Sequence, residues 1–203
     1  MAKAKTISAH LSPATYRENI KKVPTRNGYG DGVVEAGEKN EKIVVLCCDL
    51  TESTRNKKFK ETFPDRFIQM GIAEQSLAGI AGGLALEGKI PFISSYAAFS
   101  PGRNWEQIRL VACIQNQNIK IIGAHAGVSV GPDGATHQML EDIAITRVLP
   151  NMTVLAPSDY LETKRAVLAA AELKGPVYIR FARSASPTFT TAKTPFKIGR
   201  AEI

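Results

Sequence analysis

Ile43-Val44-Val45-Leu46-Cys47-Cys48 is apolar without a break between Lys42 and Asp49. A strand that is apolar on both sides must be covered on both, and that condition belongs to a parallel sheet held between two layers of helices. The unit recurs along the chain. Short apolar runs predict strands at 43–48, 67–70, 91–95, 119–124, 153–156 and 177–181, and helical spacing predicts helices between them at 29–39, 74–86, 103–115, 138–146 and 158–173. Asp159 and Glu162 suit the first turn of the last helix, and Gly175-Pro176 ends it. Strand and helix in alternation predict an α/β fold, a doubly wound, mostly parallel sheet with helices on both faces, which binds ligands beyond the carboxyl ends of its strands. The expected domain is 24–188. It is preceded by a polar arm, 1–23, with a short helix at 16–22, and followed by a linker, 189–203, in which 196–203 reads as the start of a further strand.

Composition narrows the function. No apolar run approaches the roughly eighteen residues of a membrane span, and no secretory pattern follows Lys3 and Lys5, so a cytoplasmic protein is expected. The net charge of +7 admits nucleic acid, anionic small molecules or an acidic partner. The basic residues are scattered rather than gathered on one helix, with no aromatic platform beside them, which argues against nucleic acid. Cys47, Cys48 and Cys113 have neither the number of a disulfide framework nor the spacing of a zinc site and are expected as buried thiols.

The residues that promise chemistry fall where strands end. Glu74 follows a short strand and Gly71 and opens a helix rich in Ala and Gly, so its carboxylate is expected to be desolvated among small apolar neighbours and able to donate or share a proton. After the fourth strand, residues 127–138 form a glycine-rich loop that delivers Asp133 and His137, a pair suited to binding sugar hydroxyls and to proton transfer near neutral pH. Arg26, Ser53, His125 and Arg183 sit at starts and ends of elements feeding one sheet edge. Two guanidinium forks, a hydroxyl and an imidazole suit a phosphate group. Tyr96 and Phe99 offer a flat wall for a heteroaromatic ring. Trp105 and Arg109 read as packing or interface. Gly30-Asp31-Gly32 with Asn56 loosely resembles a magnesium-diphosphate signature, but no apolar strand precedes it and helix follows, so no metal ligand is assigned to this chain.

Gly71-Ile72-Ala73-Glu74-Gln75, the Tyr96 and Phe99 pair, and Gly131-Pro132-Asp133-Gly134-Ala135-Thr136-His137-Gln138 together resemble the pyrimidine-binding domain of transketolase, specifically the carboxyl-terminal subunit of its split, two-gene form. The resemblance spans about Thr25 to Arg183. It implies thiamine diphosphate as cofactor, with Glu74 hydrogen-bonding the aminopyrimidine and Tyr96 and Phe99 stacking on it. It implies that Asp133 and His137 recognise sugar hydroxyls, His137 being the second catalytic candidate beside Glu74, and that Arg26, Ser53, His125 and Arg183 hold the sugar phosphate. It further implies an N-terminal partner subunit carrying the diphosphate-binding domain and its magnesium, and a homodimer of this chain within a heterotetramer. The family's third domain has no counterpart beyond 197–203. A 1-deoxyxylulose-5-phosphate synthase-like enzyme or a catalytically silent scaffold of the same fold are the alternatives that the resemblance leaves open. The β subunit of a 2-oxoacid dehydrogenase has less use for the phosphate-binding residues.

Overall fold

In the computed structural model residues 10–200 are described. The elements run β1 (Lys22–Pro24), α1 (Thr25–Lys39), β2 (Ile43–Cys47), α2 (Lys57–Thr62), β3 (Phe67–Gln69), α3 (Glu74–Leu86), β4 (Ile90–Tyr96), α4 (Trp105–Gln107) continued by a π-helical segment (Ile108–Ile114), β5 (Lys120–Ala124), α5 (Asp142–Arg147), β6 (Thr153–Leu155), α6 (Tyr160–Glu172), β7 (Val177–Arg180) and β8 (Ala185–Pro187). Six strands form one parallel sheet in the order β3-β2-β4-β5-β7-β6. Every residue of β2, β4 and β5 is buried, as strands covered on both faces require.

Alternation along β2 shows the two layers. Ile43 and Val45 pack with Tyr29 and Val33 of α1 and Val167 and Ala170 of α6, whereas Val44 and Leu46 pack with Leu77, Ala78 and Ala81 of α3 and with Ala112 and Cys113 of the π-helical segment. Successive side chains of a strand point to opposite faces, so one apolar run serves both layers at once. This is the doubly wound sheet the periodicity predicts. All three cysteines are buried and free, and no helix among the described residues is long and apolar enough to cross a membrane.

Several local expectations are corrected. Residues 16–22 form turns rather than a helix, and Lys22–Pro24 pairs antiparallel with β8. The helix expected from 103 starts at Trp105, because the chain first turns through 101–104, where Asn104 donates to the Glu74 carbonyl at 2.9 Å. The helix expected from 138 starts at Asp142, because Gly127 and Met139 exchange backbone hydrogen bonds and close the intervening segment into a loop. Within 196–200 a turn closed by a Lys197–Arg200 bridge replaces the expected strand, whose remainder, 201–203, lies outside the described residues.

Candidate active site

Glu74 is the first residue of α3, and its side chain is 2% exposed. It is buried, as its small apolar flanks predict, and it also has polar partners. Ser95, at the end of β4, donates to Oε1 at 3.2 Å, and Arg103 donates to Oε2 at 3.0 Å. The Arg103 guanidinium also lies 4.6 Å from the centre of the Phe99 ring. A planar, N–H-bearing group thus stacks on an aromatic face while bonding a buried carboxylate. Phe99 and Tyr96 have near-parallel rings with centroids 6.1 Å apart, so the flat wall expected of them exists.

The same wall continues into the imidazoles. Tyr96 stacks on His125 at 4.0 Å, and His137 meets Phe99 edge-on at 5.2 Å and Tyr96 at 6.0 Å. His125, directly after β5, is 1% exposed, has left-handed backbone (φ 58°), and its Nδ1 has no hydrogen-bond partner among the described residues. A left-handed non-glycine residue and an unpartnered buried nitrogen are both costs that a ligand site retains. Burial, with Arg26 and Arg183 nearby outweighing Asp133, depresses the His125 imidazole to about 4, so it is neutral at pH 7. His137 Nδ1 lies 2.8 Å from the Thr136 hydroxyl on the loop that also carries Asp133.

Guanidiniums gather on the other flank. Arg26, in the first turn of α1, donates from Nη1 to the Ser53 carbonyl at 3.1 Å, while its Nε is buried without a partner. Its pKa is lowered by burial first and then by the charges of Arg55 and Arg183. Arg183 lies across the glycine-rich loop: a Cβ on Gly131 would come within 2.1 Å of Arg183 Nη1, and Gly131 has φ +90°. Only glycine provides both that backbone conformation and that space. Below this flank, Tyr29 donates to Asn56 Oδ1 at 2.7 Å and Asn56 donates to Thr54 and Ser94, which pins the segment between β2 and α2 that carries Ser53.

The site residues expected from the sequence are therefore linked by contacts and charge into one region at the carboxyl ends of the strands. Glu74 joins it through the Arg103–Phe99 contact, and Tyr96, Phe99, His125 and His137 form a continuous ring contact. Arg26, Arg183 and Asp133 act on His125 through their charges, and Ser53 joins them through its carbonyl, which accepts from Arg26. Asp31 is inside α1 and accepts a 2.7 Å hydrogen bond from the Tyr160 hydroxyl. Trp105 is packing, its indole donating to the Ile145 carbonyl at 2.6 Å. Sequence reasoning missed Ser95, Arg103 and Arg55, each an ordinary polar residue in its local context.

Known proteins carry the same domain. The family model for the transketolase pyrimidine-binding domain matches residues 21–188. The chain is 47% identical over 180 residues to a transketolase C-terminal section of Methanocaldococcus jannaschii, covering 88% of this chain and 57% of that protein. It is 39% identical over 183 residues to human transketolase, covering 90% of this chain and 29% of the human one. Among solved structures, a split-gene transketolase described as an inactive β4 tetramer superposes with a TM-score of 0.79 at 47% identity, covering 88% of this chain and 57% of that one. Transketolase from Campylobacter jejuni gives 0.76 at 25% identity, covering 83% of this chain and 27% of that one. The chain thus spans little more than half of the Methanocaldococcus jannaschii section and of the split-gene structure, and under a third of the human and Campylobacter jejuni transketolases. With the fold, the buried glutamate at the head of α3 and the family match in agreement, the chain belongs to the transketolase family and consists largely of its pyrimidine-binding domain.

Proposed function

We propose that this chain is the carboxyl-terminal half of a split transketolase, moving a two-carbon ketol unit between a ketose phosphate and an aldose phosphate together with an N-terminal subunit that carries the diphosphate-binding domain and its magnesium. The observation that carries the reading is the adjacency of a buried carboxylate and stacking ring to a cluster of guanidiniums around a neutral imidazole whose Nδ1 has no partner among the described residues.

The notch fits an aminopyrimidine. Arg103 stands in for it, as a flat group whose N–H meets Glu74 and whose face covers Phe99. Glu74 would hold a proton on the cofactor's ring nitrogen, and Phe99 with Tyr96 would support the ring once Arg103 swings toward solvent, where its side chain is already 50% exposed. When bound, thiamine diphosphate supplies the carbon nucleophile that accepts the ketol unit. His137 and Asp133 would orient sugar hydroxyls, and His137 would exchange protons with them. Arg26, Ser53, His125 and Arg183 would hold the phosphate, the imidazole donating as a neutral N–H. The outer face of α3, with Ile80 and Leu86 exposed and Ile72 just ahead of it, is suited to a second copy of this chain, which gives a homodimer at the centre of a heterotetramer.

Reconstitution tests this reading. The chain combined with a diphosphate-domain subunit, thiamine diphosphate and magnesium should convert xylulose 5-phosphate and ribose 5-phosphate, and the chain alone should not. The isolated domain offers the cofactor one ring stack and few hydrogen bonds against the cost of association. Activity on pyruvate with glyceraldehyde 3-phosphate instead would favour the 1-deoxyxylulose-5-phosphate synthase-like alternative. No activity on either pair would favour a silent scaffold.

A further inference from the structure

Arg55 stands beside the proposed phosphate site and has no role in it so far. Its backbone is left-handed (φ 66°) and pressed against α1, where a Cβ on Gly30 would lie 2.8 Å from the Arg55 Cβ and 2.9 Å from its carbonyl oxygen. Its Nε donates to Asn27 Oδ1 at 2.8 Å, while Arg26, one residue earlier, reaches back to the Ser53 carbonyl at 3.1 Å. These reciprocal contacts tie the start of α1 to the loop before α2 and fix both arginines relative to each other. Held at Nε, Arg55 has no partner for either Nη among the described residues, so its fork is presented rather than used.

Among the described residues its charge has no ion-pair partner. Toward the cleft its neighbours are Arg26 and His125, both of which feel its field. On the other side is a cavity of about 440 Å³ lined by Asn27, Asp31, Glu52, Lys57, Lys58 and Glu61 as well as Arg55. There Lys57 is paired with Glu52 at 3.1 Å and Lys58 faces Asp31 at 3.8 Å, whereas Arg55 meets only an amide. Arg26, Arg55 and Arg183 make no ion pair among the described residues; guanidiniums so gathered repel one another, and the arrangement is balanced when a multiply charged anion lies among them.

We propose that Arg55 is a specificity-determining residue of this site, its free Nη groups binding an oxygen of a phosphate monoester dianion whose other oxygens are taken by Arg26 and Arg183. The inference rests on the reading of this flank as a sugar-phosphate site. Arg55 extends that site toward the open cavity, so it favours phosphorylated over unphosphorylated sugars and leaves the chemistry at Glu74 untouched.

The test is calorimetric titration of the 203-residue chain with inorganic phosphate at low ionic strength, against chloride as control. Arg55→Gln should weaken phosphate binding about ten-fold, the loss of one partly screened charge-assisted contact, and Arg183→Ala should weaken it at least as much. The thermal midpoint of Arg55→Gln, measured without phosphate, should stay at the wild-type value. If Arg183→Ala loses affinity and Arg55→Gln does not, Arg55 lies outside the site and the proposal falls while the phosphate reading stands. A lowered midpoint together with weaker binding would make Arg55 a structural tie and also overturn the proposal. Wild-type chain that takes up no phosphate beyond the chloride control would overturn both.

Discussion

The two flanks of the cleft follow opposite electrostatic plans. Around Glu74 the charge is satisfied: the carboxylate has Arg103 and Ser95, and its backbone carbonyl has Asn104. Around His125 positive charge predominates and Asp133 answers it only in part, with Arg26, Arg55 and Arg183 all depressing the imidazole and Arg55 and Arg183 also depressing Arg26. The difference concerns what each flank awaits. A buried carboxylate cannot be left bare, because its desolvation must be offset at every moment, so under the proposed function a site meant for an N–H-bearing ring keeps an internal substitute in place. Guanidiniums at a half-open cleft keep enough water to tolerate their repulsion and can wait for an anion. On the proposed function, the first flank would exchange one partner for another and the second would gain one.

This contrast can be tested in three ways, taken from the largest expected effect. In the reconstituted enzyme, Glu74→Gln should lower turnover by at least about a hundred-fold, the scale of a lost proton-transfer group, with the thermal midpoint of the chain nearly unchanged. Near-normal turnover would remove Glu74 from the chemistry.

The next effect is on acid stability. The His125 imidazole sits near 4 in the folded chain against 6.5 in an unperturbed one. Between those values the unfolded chain binds more protons, so stability is fully present above about pH 6.5 and is lost as pH falls toward 4. After discounting for solvent screening the loss should be about 1–3 kcal/mol. Phosphate should reduce it, because an anion among the guanidiniums raises the imidazole's proton affinity. Denaturation midpoints across this pH range, with and without phosphate, measure both effects. An acid profile indifferent to phosphate would separate His125 from the anion flank.

Smallest, and most direct, is a pair of alanine substitutions in the free chain. Arg103→Ala removes the ionic partner of buried Glu74 and should cost about 1–2 kcal/mol, the half-exposed arginine limiting the loss. Arg183→Ala relieves repulsion and should leave stability unchanged or raise it by less than about 1 kcal/mol. Urea denaturation decides between them. Two losses of equal size would mean that the flanks do not differ in the way described.

What could be read in the chain without its structure was whatever depends on neighbours in sequence. The run 43–48 dictated a strand covered on both faces, its recurrence dictated the layered sheet, and the residues at strand ends, Glu74, Tyr96, Phe99, His125 and Arg183, followed from where those strands stop. Arg26, Ser53, Asp133 and His137 were legible for a related reason, since they sit at starts of elements or on a glycine-rich loop. Arg55 and Arg103 were not. Within Thr51-Glu52-Ser53-Thr54-Arg55-Asn56-Lys57, Arg55 reads as one more solvated charge, and only a hydrogen bond to Asn27, 28 positions away, fixes it beside the start of α1. Arg103 acquires its place through Glu74, 29 positions away. The late starts of α4 and α5 have the same origin, because Asn104 bonds to the head of α3 and Met139 bonds to Gly127. Periodicity reports which face of an element is buried. Which charges meet, and which remain unpaired, is decided by distant segments brought together when the sheet forms.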